Sequence, residues 1–346
     1  MKTKMVCSVV VAFALIFSFS NLTLAADKPI KVKLAHVAAP KTFDSAIHAA
    51  AVAIKYLLEK RSGGRFEVEI YPAMSLGKEV DTMEALKNNV IQMNLAAMAA
   101  LFRINLPITV FFSPYIFRNE EVAVEVTNGP FGQQVLDQFT KKTGIKAMGY
   151  MSGYTYMAIT NNKRPIKTPA DMKRLKFRVM DPMGIAMFKS FGATAVPISF
   201  KELFTSLQTG VVDGQTNPPF IVAWAKFNEC QKYLTMAKSQ WGYQVLLANQ
   251  QWFDGLSPAD QKLVKNAVRY GIAASGGLSL FLEDKSLNEL SKAGMKINTI
   301  AEKDLGQFAE IARPAGLSWA REKMGDAFVD GLIKAIADAE KKLGYR

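Results

Sequence analysis

The chain has 346 residues, 49% of them hydrophobic and 21% charged, with a formal net charge of +13. These proportions exclude a disordered, collagen-like or disulfide-stapled chain, and a length about twice that of a typical domain predicts two lobes. Two His and two Cys in all leave little material for a zinc site, so neither a metal nor a cofactor is expected.

Lys2 and Lys4 precede an uncharged, mainly apolar run from Met5 to Phe19, and small residues then lead to Ala25-Ala26 before Asp27. This is the three-part pattern of a secretory signal peptide, residues 1–25, with cleavage after Ala25 or Ala26 and export to the periplasm. The apolar run is shorter than the roughly 20 residues that cross a bilayer. Cleavage removes two lysines, lowering +13 to +11, and removes Cys7, leaving Cys230. A lone thiol makes no internal disulfide, so a packed core must supply stability. With no His near it in sequence, Cys230 reads as a packed or semi-exposed structural residue.

Ile30-Lys31-Val32-Lys33-Leu34 alternates apolar and charged residues and predicts a half-buried strand ending near His36. Helical spacing follows from Ser45 to about Arg61, closed by Gly63-Gly64. Phe66 to Tyr71 alternates again, and Val80 to Asn88 reads as a helix with Met83 and Leu86 inward. The order β-α-β-α predicts an α/β lobe with a largely parallel sheet. Thr168-Pro169-Ala170-Asp171 and Ser257-Pro258-Ala259-Asp260 carry helix-start chemistry, and Ser199-Phe200-Lys201-Glu202 reads as a capping box. Leu175 to Val179 predicts a short strand with Arg178 on the face opposite Phe177 and Val179. Helical patterning from Pro258 to Lys292 is expected to break at Gly271 and Gly276-Gly277.

Enzyme chemistry finds little support. No G-x-G-x-x-G, phosphate-loop or G-x-S-x-G motif is present, and His36 and His48 are twelve residues apart without metal-ligand spacing. His36 remains a candidate pocket residue because it ends a strand, where ligands bind in open α/β folds. The densest basic window, Lys163 to Arg178, holds seven Lys and Arg against Asp171. Without a nucleic-acid-binding module or aromatic ladder it reads as solvated surface, and no nucleic-acid partner is expected.

From Lys163 to Tyr233 the pattern is specific. Arg164-Pro165-Ile166-Lys167-Thr168-Pro169-Ala170-Asp171-Met172-Lys173, Leu175-Lys176-Phe177-Arg178-Val179, Val196-Pro197-Ile198-Ser199-Phe200 and Leu207-Gln208-Thr209-Gly210-Val211-Val212-Asp213-Gly214-Gln215 occur in order, followed by Asn217-Pro218. Upstream stands Ser75-Leu76-Gly77-Lys78-Glu79. Together these segments resemble the dicarboxylate-binding family of solute-binding proteins that serve tripartite ATP-independent periplasmic (TRAP) transporters. The resemblance spans nearly the whole mature chain.

It implies an α/β periplasmic-binding-protein fold of two lobes, with a ligand cleft between them and a long helix spanning both. The expected division is 27–153 with 244–283 in the first lobe and 154–243 with 284–346 in the second. It further implies delivery of a small organic anion to the small and large membrane subunits of a TRAP permease, by a protein expected to be monomeric and not an enzyme. By motif position Arg178 is similar to the arginine that pairs with the ligand carboxylate, Asn217 to the asparagine that bonds the same anion, and Phe200 to an aromatic packed on the ligand. A second arginine found in many members near Gly153–Met157 is absent here. The segment Leu95–Ala99, where acidic-sugar binders carry a glutamate, is uncharged, which argues against a sialic-acid-like ligand. Tyr154, Tyr156, Met98 and Trp241 suggest a tight, partly aromatic cleft for a hydroxy or keto acid, an aromatic acid, or a sulfonate such as isethionate. A periplasmic sensor presenting an organic acid to a membrane receptor is the alternative.

Overall fold

The computed structural model describes residues 28–151 and 156–345. The expected signal peptide and Tyr154 lie outside them. The strands are β1 (Ile30–His36), β2 (Phe66–Tyr71), β3 (Met93–Ala96), β4 (Ile145–Met151), β5 (Ala158–Asn161), β6 (Lys176–Val179), β7 (Thr194–Pro197), β8 (Gly214–Asn217), β9 (Tyr233–Met236), β10 (Gln244–Asn249) and β11 (Lys296–Thr299). The helices are α1 (Ala46–Arg61), α2 (Glu79–Lys87), α3 (Met98–Ile104), α4 (Glu120–Asn128), α5 (Pro130–Thr143), α6 (Pro182–Ser190), α7 (Phe200–Gln208), α8 (Pro219–Trp224), α9 (Gln250–Asp254), α10 (Pro258–Lys292), α11 (Glu302–Met324) and α12 (Asp326–Lys342).

Two mixed sheets organise the chain, in the orders β2-β1-β3-β10-β4 and β11-β9-β5-β8-β6-β7. Each has one strand antiparallel to both neighbours: β10 against β3 and β4, and β5 against β8 and β9. These are the strands at which the chain enters from the other sheet, β4 leading to β5 and β9 to β10. A strand arriving through the cleft begins where its parallel neighbours end, so it must run against them. The largely parallel sheet expected of the first hundred residues is present in β1, β2 and β3.

Apolar residues from both faces of each sheet make four core clusters. Phe111, Val122, Phe139 and Tyr243 belong to one, and Leu34, Ile54, Phe66 and Leu246 to another. In the second sheet Phe177, Phe188 and Phe308 fill one face, and Leu203, Val222 and Leu234 the other. Burial on both faces explains why β3, β5, β8 and β10 are buried at every residue.

The helix α10 runs unbroken for 35 residues, about 52 Å at 1.5 Å per residue. It packs on α1 and β4 at one stage and on α8 and β11 at the other, so it spans both sheets. The expected breaks at Gly271 and Gly276-Gly277 do not occur. At Gly271 the glycine serves packing, because a Cβ there would come 2.7 Å from Ile54 Cγ1 and 3.0 Å from the Ala50 carbonyl oxygen. Close contact with α1 offsets the roughly 1 kcal/mol by which Gly weakens a helix. The other helix-start signals divide. Ser257 caps α10, accepting from the Asp260 N–H at 3.2 Å. Thr168 to Asp171 opens a single 3-10 turn, Pro169–Met172, because Arg174 then takes φ 63° and the chain enters β6. The last helix, α12, packs on α4 and α5 beside the first sheet.

Candidate ligand-binding site

The carboxyl ends of β1, β3, β6 and β8 converge on one cavity of about 60 Å³ between the sheets. Val37 and Ala38 follow β1, Met98 follows β3, Arg178 lies at the end of β6 with Met180 just after it, and Asn217 ends β8; all six line the cavity. This is where open α/β sheets bind ligands, since loops there are free of sheet pairing. Three short helices begin beside it, α3 at Met98, α7 at Phe200 and α8 at Pro219, and none has a capping side chain on its first turn. Uncapped amino ends of helices bias a site toward anions.

Arg178 is 1% exposed. Strand alternation puts Phe177 and Val179 into the core on one side and Arg178 toward the cavity on the other, as the pattern predicted. Its Nε donates to the Ile198 carbonyl at 2.8 Å, while its Nη1 is buried without a partner among the described residues. Burial depresses the guanidinium to about 10, against the opposing pull of the Asp181 and Glu79 carboxylates, so it stays charged at neutral pH. Burial likewise raises Asp181 to about 6, opposed by the Gly184 N–H, the Arg178 charge and the Met183 N–H. A buried N–H donor with a full charge and no acceptor is expensive unless something fills the gap. An anion with two oxygens fits a guanidinium fork.

Asn217, the last residue of β8, is buried and donates through Nδ2 to Gln215 Oε1. Phe200 lines the cavity and stacks on Trp224, with ring centroids 5.7 Å apart and planes 3° from parallel.

Residues 34–322 match the family described as bacterial extracellular solute-binding protein, family 7. The chain belongs to that family. It is 32% identical over 267 residues to a solute-binding protein of Verminephrobacter eiseniae, covering 77% of this chain and 78% of that one. It is 30% identical over 333 residues to the C4-dicarboxylate-binding periplasmic protein DctP of Rhodobacter capsulatus, covering 94% and 96%. Among solved structures, the sugar-acid-binding protein DctPAm of Advenella mimigardefordensis with galactonate superposes with a TM-score of 0.83 at 28% identity, over 90% and 99% of the two chains. A TRAP periplasmic solute-binding protein from Bordetella, with density interpreted as pantoate, gives 0.80 at 28% identity over 88% and 99%. The two-lobed fold, the TRAP family and the transport rather than enzymatic role expected from the sequence are those of this chain.

Within this family 7 protein the predicted residues separate. Arg178, Asn217, Phe200 and Met98 share the cavity. His36 lies behind it, lining a recess of about 10 Å³ that shares Val37, Met74, Glu79 and Ala97 with the main cavity. Its Nδ1 accepts from the Ala38 N–H at 3.1 Å and its Nε2 meets His48 Nδ1 at 3.0 Å. Trp241 sits away from the lining, 2% exposed in the first core cluster and stacked on Tyr243 at 5.1 Å; Tyr156 pairs with it there. Cys230 is half-buried, and burial first, with Glu229 beside it, pushes its thiol up to about 11, which makes it a poor nucleophile.

Among the lining residues not singled out from sequence as ligand contacts, three bear on the chemistry of the site. Glu79 opens α2 and faces the main cavity, the recess and an adjoining groove of about 360 Å³. The Leu95–Ala99 wall is uncharged as read, yet α2 brings a carboxylate to the first-lobe side from another segment. Trp224 lines the cavity from the end of α8; its spacing of four from Phe220 gave no hint of which of the two faces the ligand. Ser199 makes no capping bond to α7, contrary to the capping-box reading, and its buried hydroxyl has no partner among the described residues while its residue lines the adjoining groove beside Arg178.

Proposed function

We propose that this chain is the binding subunit that captures a small organic monoanion carrying a hydroxyl group and hands it to the two membrane subunits of a TRAP permease. The observation that carries this reading is Arg178, a buried guanidinium with an unpartnered Nη1 at the edge of a small cavity between the lobes. In this reading Arg178 grips the anion bidentately, Asn217 donates to it, and Phe200 with Trp224 packs on its carbon skeleton. Glu79 supports a ligand with a hydrogen-bond donor at its far end: a hydroxyl satisfies the carboxylate, whereas a second carboxylate would meet like charge. A carboxylate and a sulfonate present the same acceptors to Arg178, so glycerate, galactonate and isethionate all remain within the class. The cavity, with room for a few water-sized groups, favours the smaller of these.

Export through the expected signal peptide and cleavage after Ala25 or Ala26 complete the reading. We divide the lobes as expected except that α12, which packs on α4 and α5, is assigned to the first lobe. Lobe closure on the ligand is a population shift: contacts from both lobes favour the closed form.

A thermal-shift panel of D-glycerate, galactonate, isethionate and succinate tests the ligand class. A ligand at about 100 times its Kd stabilises the fold by roughly 2.7 kcal/mol. Shifts with hydroxylated monoanions, absent in Arg178→Ala, are expected. Succinate as the strongest ligand would overturn the role given to Glu79, and shifts surviving Arg178→Ala would overturn the anchor.

A further inference from the structure

Behind Asn217 runs a buried row of side chains whose hydrogen bonds all point one way. Gln231 turns its Nε2 to two backbone carbonyls, those of Cys230 at 3.1 Å and Asp213 at 3.3 Å. Carbonyls can only accept, so the amide of Gln231 cannot be flipped and its Oε1 must face Thr160. The Thr160 hydroxyl has one hydrogen and gives it to Gln231 Oε1 at 2.9 Å. Its oxygen must therefore accept from the next neighbour, which is Gln215 Nε2 at 2.9 Å. Gln215 is then left presenting Oε1, and Asn217 Nδ2 donates to it.

The sheet builds this row. Thr160 of β5 and Gln215 of β8 are direct cross-strand partners, and Arg178 of β6 is the partner of Gln215 on its other side. Asn217 is two residues from Gln215, hence on the same face. Thr160 and Gln215 are fully buried and Gln231 is 2% exposed, so water does not compete for these bonds.

We infer that Gln231 and Thr160, acting through Gln215, fix the amide of Asn217 with one N–H of its nitrogen bound to Gln215 Oε1, leaving the second N–H of that nitrogen as the donor to the anion. They are positioning residues, and none of the three lines the cavity. The inference rests on the proposed anion contact of Asn217 for its consequence, though not for the wiring itself.

The test begins with ligand-free protein labelled with ¹⁵N in its side-chain amides, where Asn217→Ala identifies the Asn217 signal by its loss. Thr160→Val removes the relay hydroxyl and Gln231→Met the whole relay amide at similar volume, and the hydrogen bonds of both side chains run to residues other than Asn217. Either variant that folds should move the Asn217 amide signal, and Thr160→Ser, which keeps the hydroxyl, should restore it. An unmoved signal in a folded Thr160→Val or Gln231→Met protein overturns the inference. Calorimetry with isethionate or galactonate should then show affinity lowered about tenfold in Thr160→Val and recovered in Thr160→Ser. If the signal moves but Asn217→Ala leaves anion affinity unchanged, the wiring stands and the anion contact of Asn217 fails.

Discussion

The Nε of Arg178 donates to the Ile198 carbonyl at 2.8 Å, which fixes the guanidinium plane while leaving Nη1 unpartnered. One nitrogen positions the group, and in the proposed role the others serve the anion. Arg178→Lys retains the charge but loses both the positioning bond and the fork, so anion affinity should fall by about 10- to 100-fold while the fold persists. Calorimetry against isethionate and far-UV circular dichroism check the two halves of this expectation. Wild-type affinity in the lysine variant would mean that charge alone suffices.

Asp181 gives binding a pH dependence. Its carboxyl is raised to about 6, chiefly by burial, and shares its surroundings with Arg178. The native state holds this proton more tightly than the unfolded chain, so the stability it contributes is present below about pH 4 and lost as pH rises through 6. A bound anion favours the protonated form, so affinity should rise by about threefold as pH falls from 7.5 to 5.5. Isethionate is the suitable probe because a sulfonate keeps its charge throughout. Asp181→Asn, which preserves the cap on the Gly184 N–H, should flatten the profile; a pH-dependent variant would place the titration elsewhere.

The His36–His48 contact acts on stability instead. Burial, reinforced by His48, lowers His36 to about 3, and burial also lowers His48. His36 is neutral in the fold but would charge in the unfolded chain near pH 6.5. Stability is thus full above 6.5 and lost as pH falls below it, at up to about 1.4 kcal/mol per pH unit for one histidine. Urea midpoints at pH 7.0, 5.5 and 4.5 should fall less steeply for His36→Asn than for the parent. Parallel curves would remove His36 from the acid response.

Phe200 and Trp224 stack at the cavity while Trp241 stacks on Tyr243 in the core. Ligand addition should change tryptophan fluorescence in the parent and in Trp241→Phe, but not in Trp224→Phe. Trp241→Ala should instead cost about 3–5 kcal/mol of stability, the usual toll of emptying a large aromatic site. A ligand response that survives in Trp224→Phe would argue against this assignment.

Gly271→Ala tests the close approach of α10 to α1. Alanine favours helix by about 1 kcal/mol over glycine, yet its Cβ would meet Ile54 at 2.7 Å. Net destabilisation of about 1–2 kcal/mol in urea is expected, relieved in the double variant with Ile54→Ala. A stabilised single variant would show that the helices can part without cost.

The strands and helices of the first hundred residues were legible because each buries one face, and alternation or helical spacing records that locally. Arg178 was legible twice, from the alternation of Phe177, Arg178 and Val179 and from the family motif around it. Helix-start signals proved ambiguous: the same chemistry that caps α10 at Ser257 makes a single turn at Thr168, and at Ser199 the hydroxyl is left unbonded beside the site. Such signals state what an end could do, and neighbouring strands decide whether a helix follows.

The amino-acid sequence by itself determined the α/β class, the two-lobed family, the side of its strand on which Arg178 lies and the absence of nucleotide and nucleophile motifs, because these depend on residue type and short spacing. Tertiary structure decided that α10 passes unbroken through three glycines, that Glu79 and Trp224 line the cavity, and that Trp241 does not. It also brought Thr160, Gln215 and Gln231 into one row from segments up to 71 residues apart. Each of these turns on which distant backbone approaches a side chain, and local periodicity carries no record of that.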